Sequence, residues 1–204
     1  MKKKALIFDL DNTIYAVSSI ADRLFASLFQ LLEESGEVDH CLHAVKQELM
    51  RKPFQWIADK YGFSESLAKR GLHLLENLVY DGPIRPFPDY PEVKKLPQKK
   101  YLVTSGFQKL QQSKIQKLNL EQDFEAIVVV DVNATSKKEV FAGLLQQHGY
   151  QPGEVLAIGD DPESELKAAR ELGIDAVLYN HSNEQQNNRF FPVISSFQQL
   201  PGFL

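Results

Sequence analysis

The sequence of 204 residues has little cysteine and no long apolar run. Its only cysteine is Cys41, so a disulfide within the chain and a zinc site made of several cysteines are both excluded. The apolar segment after the first lysines is interrupted by Asp9, which leaves it too short for an export signal. The longest apolar run near a predicted strand, 126–130, is far below the roughly 20 residues that cross a bilayer. We therefore expect a cytoplasmic protein that does not enter a membrane.

Positive charge is not in excess either. The chain has 23 basic and 27 acidic residues, a net charge of −4, whereas a domain that binds nucleic acid is usually basic. None of the eleven glycines forms a GxG pair, which argues against a dinucleotide-binding loop. We expect no nucleic acid polymer as a partner, while a small phosphorylated ligand remains compatible with this composition.

Short aliphatic runs alternate with helical patterns, which predicts an α/β fold with a parallel five-stranded sheet covered by helices. Each connection between the last four strands contains one amphipathic helix that ends at a turn signal such as Gly149 or Gly173. After the last strand, 181–189 is predicted to be a surface loop and 190–204 a tail that packs on the core. The predicted strands cover Lys4–Leu10, Lys100–Thr104, Ala126–Asp131, Val155–Gly159 and Asp175–Tyr179.

The connection between the first two strands differs because it is long and contains helical patterns only. One pattern begins at Ser19, which together with Asp22 resembles a capping box, and ends at Gly36. Prolines and glycine from 82 to 88 then favour a stiff linker. We predict a helical cap over 15–85, inserted into a core made of 1–14 and 86–204. Its further helical patterns cover 39–50, 53–61 and 64–79.

Two aspartates stand two residues apart where the first predicted strand ends, Asp9 and Asp11. Residues i and i+2 of an extended segment point the same way, so both carboxylates can converge on one reacting group. Ligands of open parallel sheets bind outside the carboxyl ends of the strands, which is where these acids fall. The position, rather than the short motif itself, indicates a functional site.

Two further polar sets are expected at the same edge of the sheet. The second strand ends in Thr104 and Ser105, whose hydroxyls can donate to a phosphate. The fourth strand ends in Asp160 and Asp161. Carboxylates gathered at one place repel each other unless a cation is present, and hard oxygen ligands beside a phosphate point to Mg²⁺.

These motifs resemble the phosphatase branch of the haloacid dehalogenase superfamily. The DxDxT motif matches at Asp9, Asp11 and Thr13, the hydroxyl motif at Thr104, and the acidic motif at the end of the fourth strand. The resemblance implies a Rossmann-like core whose first strand is central, and a cap of the type inserted after that strand. The segment 8–15 also resembles the opening of pyrimidine nucleotidase-like members.

The resemblance assigns roles to the acids. Asp9 would be the nucleophile that forms an aspartyl phosphate, and Asp11 would protonate the leaving oxygen and then activate water. The Asp9 carboxylate, the Asp11 main-chain carbonyl and Asp160 would hold Mg²⁺, with Asp161 as a direct or water-mediated ligand. Dehalogenases of the superfamily lack the second aspartate, so Asp11 favours phosphoryl transfer.

A lysine is expected to contact the phosphate. Ser136 and Glu139 form a capping-box pattern that places Lys137 and Lys138 in the first turn of a helix, where the helix dipole disfavours cations. An anion nearby would offset that, and we choose Lys137 over Lys138. Glu165 stands where many relatives have aspartate.

The favoured function is a Mg²⁺-dependent phosphomonoesterase for a small phosphorylated metabolite, with a nucleoside monophosphate as the preferred substrate. A phosphomutase of the same superfamily is an alternative. It would form the same aspartyl phosphate but return the phosphoryl group to a sugar. A module that senses phosphate without catalysis is another, although the cap and Asp11 argue against it. A bisphosphate requirement would identify the mutase.

Overall fold

A computed structural model describes residues 2–131, 134–181 and 188–204. Within these residues six strands form one parallel sheet in the order β3-β2-β1-β4-β5-β6. β1 lies between β2 and β4, as the family resemblance implies. The strands are β1 (Ala5–Phe8), β2 (Lys99–Ser105), β3 (Ala126–Val130), β4 (Val155–Gly159), β5 (Asp175–Tyr179) and β6 (Val193–Ile194).

The α/β prediction is confirmed, but the number of strands was wrong. β6 pairs with β5 through the partners Leu178 with Val193 and Tyr179 with Ile194. A strand of two residues is too short to show an alternating pattern, so the sequence indicated only a tail at this point. Residues 182–187 of the predicted surface loop lie outside the described residues.

The sheet is buried on both faces, as a parallel sheet requires. Alternate residues of β1 point to opposite sides: Ile7 shares one apolar cluster with Tyr101 and Phe141, whereas Phe8 packs edge to face on Phe124 in the other. Helices in the connections cover these faces and lead each strand end back to the start of the next strand. They are α7 (Gln108–Lys117), α8 (Lys137–His148) and α9 (Glu165–Glu171).

Between β1 and β2, over residues 9–98 that the structure describes throughout, the regular elements are all helical. Left-handed glycines end two of them, Gly36 after α2 and Gly62 after α4, and Ser64 caps α5 by accepting from the Leu67 amide at 3.1 Å. After a short 3-10 turn at Val17–Ser19, the helices are α1 (Ala21–Leu24), α2 (Ala26–Ser35), α3 (Leu42–Leu49), α4 (Phe54–Tyr61), α5 (Glu65–Asn77) and α6 (Tyr90–Lys95).

One prediction in this segment was wrong, and one helix was missed. The capping box at Ser19 does not form: Ile20 precedes α1, and the Ser19 hydroxyl donates to the Ala16 carbonyl at 2.6 Å. Helix α6 lies just after the stretch read as a proline-rich linker, with Pro91 near its first position, where its missing amide is tolerated.

The inserted helices share an apolar cluster with the Phe8 side of the sheet. Within the insertion α4 packs on α5, and Gly71 makes the contact possible because a Cβ there would lie 2.2 Å from Cζ of Phe54. The division into a core and a cap at 15–85 stays a prediction. Among the helices that the structure describes, none is both long and apolar enough to cross a membrane.

Candidate active site

Asp9 lies directly after β1 and is buried. Its backbone amide donates to the Ile158 carbonyl at 3.0 Å, which continues the pairing of β1 with β4. Its carboxylate accepts from Nζ of Lys137 at 2.7 Å. Burial raises the pKa of Asp9 to about 7, the charge of Lys137 opposes that rise, and the charge of Glu165 adds to it. Asp9 is therefore a desolvated carboxylate held in a fixed direction.

The two candidate lysines of α8 point in different directions. Nζ of Lys137 is buried and donates to Asp9 at 2.7 Å and to Glu165 at 2.8 Å. Nζ of Lys138 pairs with Glu171 on the surface at 2.9 Å. Burial disfavours the charged form of Lys137, but the two carboxylates raise its pKa above the ordinary value. The structure thus brings Lys137, and not Lys138, to Asp9.

Glu165, the first residue of α9, connects the lysine to the acidic loop. Its Oε2 accepts from Lys137, and its Oε1 accepts from the Asp161 amide at 2.8 Å. Gly159 at the end of β4 leaves room for it, since a Cβ there would lie 2.1 Å from Oε1 of Glu165. The sequence pointed to Glu165 as a departure from the family pattern without placing it.

Three carboxylates meet at this point. Asp9, Asp160 and Glu165 each offer an oxygen within 4.8 Å of the others, the one such acidic group in the part of the chain that the structure describes. Burial raises the pKa of Asp160 well above its ordinary value, and the charges of Glu165 and Asp9 add to that rise. Lys137 supplies a buried ammonium partner, and these acids form a site that could hold a divalent cation.

Asp161 is outside this group of oxygens. Its Oδ2 pairs with Nζ of Lys52 at 3.2 Å, and its Oδ1 accepts from the Glu163 amide at 2.9 Å. Beside it, Asp160 is 3.5 Å from a guanidinium nitrogen of Arg51. Two neighbouring cations that follow α3 therefore contact the two neighbouring acids that follow β4.

Asp11 faces a different set of partners. Both of its oxygens lie 2.7 Å from Nζ of Lys114, the Tyr15 hydroxyl donates to Oδ1, and the Gln111 amide donates to Oδ2 at 3.0 Å. Burial alone would raise the pKa of Asp11, yet the charge and hydrogen bonds of Lys114 lower it below its ordinary value. Donors thus hold both oxygens of this carboxylate.

Thr104 is linked to Asp11 through one side chain. The Gln111 amide nitrogen donates to Oγ1 of Thr104 at 2.7 Å and also approaches the Ser105 carbonyl at 3.3 Å. Thr104 is buried, and Ser105 is half-buried at the end of β2. The hydroxyl predicted from the strand end therefore lies close to the second aspartate.

Comparisons with known proteins identify the family of the chain. The family model described as haloacid dehalogenase-like hydrolase matches residues 3–173. The chain belongs to the haloacid dehalogenase-like hydrolases. The prediction of the family and of an enzyme within it is therefore confirmed.

Relatives of this hydrolase extend over nearly the whole chain. A curated protein from Methanopyrus kandleri, named glyceraldehyde 3-phosphate phosphatase, is 23% identical over 205 residues, which cover 89% of this chain and 86% of that protein. Among solved structures, a haloacid dehalogenase phosphatase from Thermococcus onnurineus has a TM-score of 0.69, 22% identity, and coverage of 99% and 97%. A haloacid dehalogenase-like hydrolase from Streptococcus pneumoniae has a TM-score of 0.74, 18% identity, and coverage of 99% of each chain. These structures show that the fold is shared.

A cavity of about 370 Å³ opens beside the acidic group of this haloacid dehalogenase-like hydrolase. Asn12 lines it in a left-handed conformation, and its side-chain amide nitrogen donates to the Met50 carbonyl at 3.1 Å. Arg51 and Asp160 line it as well. The cavity is thus bounded both by the strand ends and by the segment that follows α3. Its aromatic and polar walls include Phe87, Tyr179, Asn180 and His181.

Sequence reasoning located the acids but missed their partners on α7. Gln111 and Lys114 stand three positions apart on a helix that is polar almost throughout, so they look like surface residues. The signal that could have found them is their helical spacing beside Leu110 and Ile115, which assigns all four to buried positions.

Proposed function

We propose that this hydrolase is a phosphomonoesterase that acts on small phosphorylated metabolites through an aspartyl phosphate on Asp9. The observation that carries the proposal is the buried Asp9 carboxylate, fixed at 2.7 Å by Lys137 among acids that suit a divalent cation. Asp11 supports phosphoryl transfer over dehalogenation, since the resemblance assigns dehalogenases no second aspartate. The Methanopyrus kandleri relative is itself named a phosphatase.

The cation in this proposal is Mg²⁺. The donor set fits it, because the site offers carboxylate oxygens and Mg²⁺ prefers hard oxygen ligands. Asp9 and Asp160 would hold the ion together with the Asp11 carbonyl, and Asp161 would contribute directly or through water. When bound, Mg²⁺ would offset the negative charge that develops on the transferring phosphoryl group in the transition state.

The side chains of the chain supply the remaining chemistry. An Asp9 oxygen attacks phosphorus while the bond from phosphorus to the leaving oxygen breaks, and Asp11, protonated at the start of this step, gives that oxygen its proton. Water then attacks the aspartyl phosphate and passes a proton to Asp11, so that Asp9 is regenerated and inorganic phosphate leaves. Lys137 and Thr104 hold the phosphoryl oxygens in both steps.

The leaving group is assigned to the cavity of about 370 Å³ beside Asp160. Its volume is at the small end of ligand pockets, and its walls offer the Asn12 amide and the Arg51 guanidinium for polar groups. Phe87 and His181, stacked with centroids 4.1 Å apart, offer an aromatic surface. These walls suit a nucleoside monophosphate, the preferred substrate, and also accept smaller sugar phosphates.

Phosphate release from a panel of substrates tests this function. Nucleoside monophosphates, sugar phosphates and p-nitrophenyl phosphate are each incubated with Mg²⁺ and with EDTA. We expect release that depends on Mg²⁺ and is highest for the nucleoside monophosphates. No release from any of them by folded protein would contradict the proposal, and a need for a bisphosphate activator would indicate a phosphomutase instead.

Asp9→Asn tests the nucleophile. The amide is nearly isosteric with the carboxylate but is a poor nucleophile, so we expect turnover to fall at least about 1,000-fold, as for other groups that act directly in catalysis. The matched control is Asp81→Asn, because Asp81 is an exposed aspartate paired with Arg23. Turnover in Asp9→Asn close to that of the control would rule out the aspartyl phosphate.

A further inference from the structure

Lys114 is a lysine inside the protein. Its side chain is only 3% exposed, and both Asp11 oxygens lie 2.7 Å from its Nζ. The same helix has exposed lysines at Lys109 and Lys117, so its solvent-facing side is already charged without Lys114. A buried ion pair is weak evidence for stability, because removing both charges from water is unfavourable. The contact therefore calls for a role other than holding the helix in place.

Gln111 lies one turn before Lys114 and is also buried. Its amide nitrogen lies between two strand ends, donating to Oδ2 of Asp11 at 3.0 Å and to Oγ1 of Thr104 at 2.7 Å. The Tyr15 hydroxyl donates to the other oxygen of Asp11, Oδ1. Counting Lys114, each oxygen of this carboxylate thus accepts from two donors, and Gln111 ties its position to that of Thr104.

We propose that Lys114 and Gln111 are positioning residues that hold the Asp11 carboxylate at a set place relative to Thr104. The inference rests on the proposed function, in which Asp11 moves protons while Thr104 holds the phosphoryl group. Proton transfer requires the carboxylate within hydrogen-bond reach of the leaving oxygen and of the attacking water. A displacement of about 1 Å is enough to reduce such a step about 100-fold.

A double-mutant cycle of Lys114→Met with Asp11→Asn tests the inference. If Lys114 acts through Asp11, then Lys114→Met lowers kcat about 10- to 100-fold with little change in KM. In the Asp11→Asn background the same change then has almost no effect, because the group it positions is already absent. If the two reductions in kcat multiply instead, Lys114 acts independently of Asp11 and the inference is overturned.

The control variant is Lys109→Met, which removes an exposed lysine of the same helix that pairs with Asn77 at 3.0 Å. It should retain the kcat of the unmodified protein. If Lys114→Met does not fold, Tyr15→Phe takes its place in the cycle, because it removes one donor to Asp11 and leaves the ring. We expect Tyr15→Phe alone to lower kcat about 3- to 10-fold. Added to Asp11→Asn, it should lower kcat no further.

Different results would contradict the phosphatase activity and the positioning role of Lys114 and Gln111. If unmodified protein releases no phosphate, the proposed function itself fails. If it releases phosphate and Asp9→Asn abolishes the release, but the Asp11 and Lys114 effects multiply, only the positioning role fails.

Discussion

Asp9, Asp160 and Glu165 place three carboxylates beside one buried ammonium group, that of Lys137. In the folded protein burial and mutual repulsion raise the pKa of Asp9 to about 7 and that of Asp160 well above its ordinary value. Because each folded pKa exceeds the unfolded one, ionisation favours the unfolded chain. Below about pH 4 these two acids are protonated in both states and leave the free energy of unfolding of the metal-free protein unchanged. As the pH rises from there through the folded pKa values, they lower that free energy.

Asp160→Asn should accordingly stabilise the metal-free protein. In EDTA at pH 8 we expect the unfolding temperature to rise by about 2–4 °C, the shift that about 1 kcal/mol produces at this size. At pH 5 the gain should be smaller. If the site binds Mg²⁺ as proposed, Asp160→Asn should also largely lose the rise in unfolding temperature that the ion gives the unmodified protein. Thermal unfolding at both pH values, with Asp81→Asn as the control, measures this. A lower unfolding temperature in EDTA at pH 8 would show that repulsion does not dominate the site.

The acids and the hydroxyl that sequence reasoning found at this site share one property, which is their place at a strand end, whereas Lys137 was found from the helix-start pattern at Ser136. Asp9, Thr104 and Asp160 follow apolar runs, and the parallel sheet gathers such positions at one edge. Lys114 and Gln111 come instead from the buried side of a helix. Whether a polar helical residue is buried depends on the tertiary packing of that helix, which its own sequence does not contain.

Among the elements, those with a strong local signal were predicted best. Gly36, Gly62 and Gly149 end helices in the left-handed conformation, and the capping box at Ser136 forms with Glu139. The helix α6 and the strand β6 were missed because each is shorter than the window that a periodic pattern needs. Their formation depends on neighbours already in place, such as β5 for β6.

Two glycines inside helices give a prediction at this scale. Gly71→Ala in α5 should destabilise the protein by about 1–3 kcal/mol, because the new Cβ would lie 2.2 Å from the buried Phe54 ring. Gly143→Ala in α8 should stabilise it by about 0.5–1 kcal/mol, since nothing lies within 4 Å and alanine is the better helix former. Urea unfolding measures both. If Gly71→Ala had the same free energy of unfolding as the unmodified protein, α4 and α5 would be able to move apart at little cost.

At the scale of the whole molecule, the inserted helices and the sheet contact each other through charge at the candidate site. Arg51 and Lys52, which follow α3, reach Asp160 at 3.5 Å and Asp161 at 3.2 Å, respectively. The Asn12 amide donates to the Met50 carbonyl next to them. The position of the insertion and the charge of the acidic loop are thus connected, although single exposed ion pairs stabilise a fold by only about 0–1 kcal/mol.

This connection predicts that Arg51 weakens the binding of Mg²⁺. The guanidinium lies beside the Asp160 carboxylate, so its charge repels a divalent ion at the same acid and competes for the same oxygens. Arg51→Met should therefore bind Mg²⁺ about 2- to 10-fold more tightly in isothermal titration without substrate. The difference should shrink as salt is added, because the charges are partly exposed and screened.

The control is Lys69→Met, which removes an exposed lysine of α5 paired with Glu65 and should leave the affinity unchanged. Equal or weaker binding by Arg51→Met would mean that Arg51 supports the geometry of the Asp160 loop more than its charge opposes the ion.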